Sequence, residues 1–148
     1  MSKLFNTLHH VCILVHDLEK TVAYYEKIGV GPWYDYPKSG AYIDFDVPNP
    51  AASAAMRYKC CDLENVQIQL CHPGELDSPQ RRFLEERGEG VYHLGFEVPD
   101  RDKAEDEGRA LGLRVTARGR RIDKSGFCYF DTRAEAGIVL EIRKTAQG

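Results

Sequence analysis

Residues 8–17 read Leu8-His9-His10-Val11-Cys12-Ile13-Leu14-Val15-His16-Asp17, and residues 91–100 read Val91-Tyr92-His93-Leu94-Gly95-Phe96-Glu97-Val98-Pro99-Asp100. A shift of 83 positions lays His10 on His93, Val15 on Val98, Asp17 on Asp100, Lys20 on Lys103 and Gly29 on Gly112. Each copy is a strand carrying one histidine, followed by a helix that ends at glycine. A unit used twice predicts a chain of two equivalent modules, and histidines at equivalent strand positions predict convergence on one site. The ligand that two such imidazoles most readily share is a metal ion.

Working outward from these stretches, the pattern predicts a strand over 7–15 and a helix over 18–27. Asp17 is its N-cap, Val22, Tyr25 and Ile28 share one side, and Gly29 is the stop. Gly31-Pro32-Trp33 is a turn, with Trp33 either packed in the core or forming a substrate wall. Extended segments are predicted over 33–36, 42–47, 54–61 and 66–71, with 48–53 a loop by composition. Ser78 as N-cap, Pro79 at the first helical position and Gly88 after the end predict a connecting helix. The second copy gives a strand over 91–98, a helix over 103–111, and strands near 114–118, 126–131 and 138–143. The expectation is one α+β domain over 1–148, built of two βαβββ modules. Module 1 covers about 7–72, the linker helix about 78–88 and module 2 about 91–144.

Composition narrows the class. With 148 residues, 43% of them hydrophobic, the chain can bury a substantial core. A net charge of −3 argues against nucleic-acid binding; the one basic run, Arg118-Gly119-Arg120-Arg121, is read as a solvated loop or an anion contact. The five cysteines, Cys12, Cys60, Cys61, Cys71 and Cys128, lack C-x-x-C spacing and read as free buried thiols in a reducing compartment. No run of apolar residues is long enough to cross a membrane or to act as a signal peptide, so the expected location is the cytoplasm.

Side chains alternate across a strand, so parity sorts each strand into two faces. Val11, Ile13 and Val15 form the helix-packing face of the first strand, leaving His10, Cys12 and Leu14 opposite. Leu94, Phe96 and Val98 leave His93, Gly95 and Glu97. The last strands of the two modules contain matching tripeptides, Ile68-Gln69-Leu70 and Leu140-Glu141-Ile142. Their second faces carry Gln67, Gln69 and Cys71, and Val139, Glu141 and Arg143. Faces bearing His, Gln, Glu and Arg line a cup, not a dry core. His10, Gln69, His93 and Glu141 are the set able to converge there. Two imidazoles, a carboxylate and an amide oxygen suit one divalent ion: Co, Ni, Zn, Mn or Fe.

His10-Val11, Val15-His16-Asp17-Leu18, Tyr24-Tyr25, His93 and Glu141 together resemble the vicinal oxygen chelate superfamily, which includes glyoxalases, bleomycin-resistance proteins, dioxygenases and epimerases. The resemblance covers essentially the whole chain and implies paired βαβββ modules forming an open barrel around a metal. Ser78-Pro79, Phe83-Leu84-Glu85 and Gly88-Glu89-Gly90-Val91-Tyr92-His93 are most similar to the methylmalonyl-CoA epimerase family. That likeness implies the same four ligands, His10, Gln69, His93 and Glu141. Two positions depart from the pattern. Tyr92 replaces the first of a histidine pair, and the stretch expected to supply a second carboxylate base reads Asp44-Phe45-Asp46-Val47-Pro48, without glutamate.

The chemistry that suits this constellation is proton abstraction next to a carbonyl, with Glu141 as the base and an acyl-CoA, thioester or ketone as the small-molecule substrate. Arg57, Arg143 and the 118–121 cluster are candidate carboxylate or phosphate contacts. Three rival readings stay open: a glyoxalase I-like lactoylglutathione lyase, an Fe(II) extradiol-type dioxygenase, and a metal-free binding protein of the resistance type. Open sheet edges and the family resemblance both point to a homodimer.

Overall fold

The computed structural model describes residues 3–147. In chain order its elements are β1 (Leu8–Leu14), α1 (Leu18–Lys27), β2 (Tyr34–Asp35), β3 (Tyr42–Asp46), α2 (Pro50–Ala55), β4 (Arg57–Asp62), β5 (Gln67–His72), α3 (Pro79–Arg87), β6 (Gly90–Glu97), α4 (Arg101–Ala110), β7 (Val115–Arg121), β8 (Gly126–Phe130), α5 (Arg133–Ala136) and β9 (Val139–Lys144). The class is α+β, as the alternating patterns require. Among the described residues no helix is long and apolar enough to cross a membrane.

The chain forms two compact units. The Gln69 unit takes in His10–Pro37 and Asn49–Tyr92. The Glu141 unit takes in the described residues of Met1–His9, Lys38–Pro48 and His93–Gly148. Strand order in the Gln69 unit is β2-β4-β5-β1, with β1 parallel to β5 and the other pairs antiparallel. Strand order in the Glu141 unit is β6-β9-β8-β7-β3, with β6 parallel to β9 and the other pairs antiparallel. The sequence repeat is therefore a repeat of topology: β1 matches β6, β5 matches β9, β4 matches β8 and the short β2 matches β7. Strand β3 has no counterpart. It is read from the first half of the chain yet pairs with β7 of the second.

The repeated Asp and Lys explain both helix starts. Asp17 accepts the Lys20 backbone N–H at 3.0 Å, and Asp100 accepts that of Lys103 at 3.0 Å, so each caps its helix in the same way. In the Gln69 unit Val15, Leu18 and Leu70 are buried with Ile13, Val22, Tyr25, Trp33 and Ile68 against them. Trp33 belongs to that core: its ring centroid lies 5.2 Å from that of Tyr25, and its Nε1 donates to Val30 O at 2.9 Å. Ile28 does not follow Val22 and Tyr25 inward; it is the C-cap of α1 and 56% exposed. In the Glu141 unit Val98, Ala104, Cys128, Phe130 and Ile142 form the core. There α4 lies so close to β8 that a Cβ on Gly108 would sit 2.5 Å from the Phe130 ring, and only glycine permits that approach. All five cysteines are free and buried, as expected of thiols that serve packing.

Three stretches differ from expectation. Residues 48–53 are not a loop throughout, because Asn49 accepts the Ala52 N–H at 3.3 Å and Pro50 starts the short helix α2. Strand β4 accordingly begins at Arg57 instead of residue 54. The basic run 118–121 is not a solvated loop but the second half of β7. Its charges are absorbed by partners distant in sequence: Arg118 meets Asp44 and Glu105, each at 2.7 Å, and Arg120 lies 3.6 Å from Asp102.

Candidate metal centre

Parity places the four candidate ligands on the strand faces turned away from the helices, and all four are withdrawn from water. His10 and His93 are 2% exposed, Gln69 3% and Glu141 5%. His9, of opposite parity, is only half-buried. In the Glu141 unit β6 pairs with β9 so that Gly95 faces Glu141, and His93 Nε2 comes within 3.8 Å of Glu141 Oε1. Burial pushes the Glu141 carboxyl above the usual carboxylate range; His93, Arg143, His9 and a hydrogen bond from Tyr129 pull the other way.

Tyr129 was not singled out by the sequence, yet it completes this half of the centre. It is the cross-strand partner of Glu141, and its ring lies 5.0 Å from the His93 imidazole. From it an aromatic row runs along the sheet. Phe127 follows at 5.3 Å, then Tyr42 at 5.5 Å from Phe127, with Phe45 stacked on Tyr42 at 5.1 Å and 12°. Gly119 makes room for the row, since a Cβ there would lie 2.6 Å from Phe127 and 2.9 Å from Tyr42. Alternation within Gly126–Phe130, with Cys128 and Phe130 in the core, is the signal that identifies Phe127 and Tyr129 as the other face.

The same row settles which way β3 points its carboxylates. A bulge between Tyr42 and Asp44 puts Tyr42 and Phe45 on the aromatic side, with Phe45 opposite Gly119. Asp44 and Asp46 stand opposite Arg120 and Arg118, on the other side. Asp44 is held there by Arg118, which also donates to Glu105 of α4 at 2.7 Å. Asp46 shares the parity of Asp44. The stretch expected to offer a carboxylate to the centre offers the ring of Phe45 instead.

In the Gln69 unit the register sets His10 opposite Gln67, and Cys12 and Cys60 opposite Gln69. Gln67, Gln69, Cys60, Asp62 and Tyr34 therefore share a face. Gln69 Nε2 donates to Gln67 Oε1 at 2.7 Å, and Gln67 Nε2 donates to Tyr34 Oη at 3.0 Å and to Asp62 Oδ1 at 2.9 Å. Tyr34 Oη in turn donates to the Asp62 carboxylate at 2.8 Å. Burial, then Asp62, pushes the Tyr34 hydroxyl up to about 12, so it remains a donor at neutral pH. Sequence reading found Gln67 on this face but missed Tyr34 and Asp62, because β2 has two residues and its register on β4 is not written in any local pattern.

The candidate arginines also meet carboxylates outside the four candidate ligands, although Arg143 still acts on Glu141 through its charge. Arg57 pairs with Glu19, and Arg143 lies 3.3 Å from Glu97. Arg121 donates to Gly40 O, Ser125 Oγ and Tyr42 Oη, with its guanidinium 4.3 Å above the Tyr42 ring. It braces the end of the aromatic row.

The sequence and the fold are matched by comparisons with known proteins. Residues 9–130 fit the family model described as the glyoxalase/bleomycin resistance protein/dioxygenase superfamily. The chain is 32% identical over 120 residues to the ethylmalonyl-CoA/methylmalonyl-CoA epimerase of Cereibacter sphaeroides, covering 78% of each. It is 33% identical over 140 residues to the mitochondrial methylmalonyl-CoA epimerase of Homo sapiens, covering 93% of this chain and 73% of the relative. In structure it is similar to methylmalonyl-CoA epimerase from Mycobacterium tuberculosis, with a TM-score of 0.73 at 23% identity over 99% of this chain and 93% of the other. A Streptomyces coelicolor methylmalonyl-CoA epimerase variant in complex with 2-nitronate-propionyl-CoA gives a TM-score of 0.70 at 24% identity, covering 95% and 98%. Repeat, topology and comparison agree: the chain belongs to the glyoxalase/bleomycin resistance protein/dioxygenase superfamily and is closely similar to methylmalonyl-CoA epimerases.

Proposed function

We propose that the protein is a metal-dependent enzyme that removes a proton next to the carbonyl of an acyl-CoA thioester, in the manner of the methylmalonyl-CoA epimerases it resembles. The observation that carries the reading is the buried Glu141 carboxylate beside the His93 imidazole, on a strand face lined with polar and aromatic side chains. His10, Gln69, His93 and Glu141 would hold the ion. Nitrogen and oxygen donors without thiolate fit a divalent cation of the first transition row. His10, His93 and Glu141 are all buried, and each offers one ligand atom to such an ion. When bound, such an ion supplies Lewis acidity that favours the enolate over the thioester.

The remaining work falls to the chain itself. Glu141 accepts the α-proton, Tyr129 orients the carboxylate through its hydroxyl, and the row Phe127–Tyr42–Phe45 shields the reacting carbon from water. A specific observation favours a second reading of the stereochemistry. Epimerisation returns a proton to the opposite face of the enolate, and β3 turns Phe45, not an aspartate, toward the centre. On that reading the enzyme exchanges the proton on one face only. Incubation with methylmalonyl-CoA in D₂O, with separation of the epimers, tests both. Deuterium in both epimers supports epimerisation, and deuterium in one supports one-faced exchange. Deuterium in neither, with oxygen uptake on a catechol or turnover of a glutathione hemithioacetal, overturns the acyl-CoA reading.

Metal stoichiometry is expected to be about one per chain, set by the twofold repeat. His93→Ala should lose most of the bound ion, whereas His9→Ala, of the opposite parity, should keep it. Equal retention by the two variants in elemental analysis would sink the ligand assignment. We further propose a homodimer, since β2 and β3 are exposed edge strands that a partner would cover. A monomeric mass by light scattering at micromolar concentration would contradict it.

A further inference from the structure

An amide side chain offers oxygen at one end and NH₂ at the other, and the two ends are nearly equal in shape. A metal accepts only the oxygen. Whether Gln69 serves as a ligand therefore depends on what fixes its orientation, and the Gln69 unit contains a hydrogen-bonded chain with a single permitted polarity. Its anchor is Asp62, a carboxylate that can only accept. Tyr34 spends its one proton on Asp62, so the Tyr34 oxygen needs a donor. Two acceptors, Asp62 Oδ1 and Tyr34 Oη, lie 2.9 and 3.0 Å from the same end of Gln67. That end must be NH₂, which has two protons to give. The Gln67 oxygen then faces Gln69 at 2.7 Å, and only the Gln69 NH₂ can meet it. The Gln69 oxygen is the end turned away from Gln67. Reversing any amide in the chain would set acceptor against acceptor.

We propose that Asp62, acting through Tyr34 and Gln67, fixes the Gln69 amide with its oxygen toward the bound cation, which makes this half-exposed edge of the Gln69 unit a positioning device for the metal centre. The proposal rests on the metal reading above. Asp62 and Tyr34 touch neither ion nor substrate. They remove the alternative in which Gln69 presents NH₂ to a cation.

The test uses three variants of the full chain: Asp62→Asn, Tyr34→Phe and Asp35→Asn. Asparagine in place of Asp62 can donate as well as accept, so the chain loses its fixed polarity. Tyr34→Phe removes one of the two acceptors without changing charge. Asp35→Asn removes the same charge as Asp62→Asn from neighbouring β2, where Asp35 meets Lys59 and has no link to Gln67. In metal-free protein, the Gln69 side-chain amide protons in ¹H–¹⁵N spectra should be protected from exchange in wild type and Asp35→Asn. They should lose that protection in Asp62→Asn. Calorimetric titration with Co²⁺ should show a loss of affinity of about tenfold or more in Asp62→Asn, a smaller loss in Tyr34→Phe and wild-type affinity in Asp35→Asn. Melting temperatures of the metal-free proteins should stay together, which separates positioning from support of the fold. The relay is overturned if the Gln69 amide protons are equally protected in wild type and Asp62→Asn, or if Asp62→Asn loses no more affinity than Asp35→Asn. Wild type that protects the amide yet binds no Co²⁺ instead removes the metal reading, and with it the purpose of the relay.

Discussion

Glu141→Gln is expected to fall at least about 100-fold below wild type in deuterium incorporation into an acyl-CoA substrate, and as far as about 10⁴-fold, the range a positioned general base supplies. The substitution is nearly isosteric, so the buried site on β9 keeps its shape. What changes is chemistry: an amide cannot accept the proton. It also replaces a negatively charged ligand by a neutral one, so metal content must be measured on the same preparation. The expected pattern is a folded variant whose melting temperature stays near that of wild type in the metal-free state. Removing the buried carboxylate relieves a desolvation penalty, which burial signals by holding the Glu141 carboxyl above its ordinary range. A Glu141→Gln variant that exchanges deuterium at the wild-type rate with metal bound would remove Glu141 from the mechanism.

The largest expected effect on stability lies on the helix side of the Glu141 unit. Arg101 is 1% exposed; its Nη2 donates to Glu105 Oε1 at 2.7 Å, and its Nη1 donates to Phe127 O at 3.0 Å. Glu105 also accepts from Arg118 at 2.7 Å and from Arg109 at 3.1 Å. Glu105→Ala takes from the buried Arg101 its buried carboxylate and leaves only the half-exposed Asp102, 2.9 Å away; breaking a buried pair costs about 3–5 kcal/mol. For a chain of this length the melting temperature should drop on the order of 10 °C. Burial would raise the Glu105 carboxyl, but hydrogen bonds from Arg118 and Arg101 outweigh it and hold the group at about 2, below its ordinary 4.5. A depressed carboxyl contributes stability that is full above about 4.5 and is lost as pH falls toward about 2. The gap between wild type and Glu105→Ala should therefore be widest at neutral pH and narrow in acid. A gap independent of pH in urea titrations would mean that the carboxylate is not what stabilises this face.

What was legible in the sequence was whatever repeats or alternates locally. Asp17 and Asp100, with Lys20 and Lys103, marked two helix starts that the backbone bonds reproduce. Alternation along 10–15, 66–71, 93–98 and 138–143 sorted each strand into a helix-packing face and a polar one, and His10, Gln69, His93 and Glu141 are all buried. What was not legible depends on partners far along the chain. The run Arg118–Arg121 looked solvated because Asp44 and Glu105, which take up its charge, are separated from it by long stretches of sequence. Tyr129 and the pair Tyr34–Asp62 carry no motif; they matter only through cross-strand register. Asn49-Pro50 did carry a helix-start signal, which the surrounding Pro, Asn, Ala and Ser residues masked.

Strand β3 gives the chain a timing problem. Tyr42 pairs with Arg121, so the strand leaves the ribosome 79 residues before the edge that receives it. At ordinary rates of synthesis that wait is on the order of 10 s. During it, a strand with Tyr42, Ile43 and Phe45 has nothing to pair with, which is the condition in which nascent chains stick to one another. Asp44 sits between Ile43 and Phe45, and Asp46 follows directly. Negative charge at these two positions is expected to oppose such sticking until β7 arrives and Arg118 pairs with Asp44. Carboxylates on the helix side of β3 would thereby matter earlier in the life of the molecule than anything on its aromatic side.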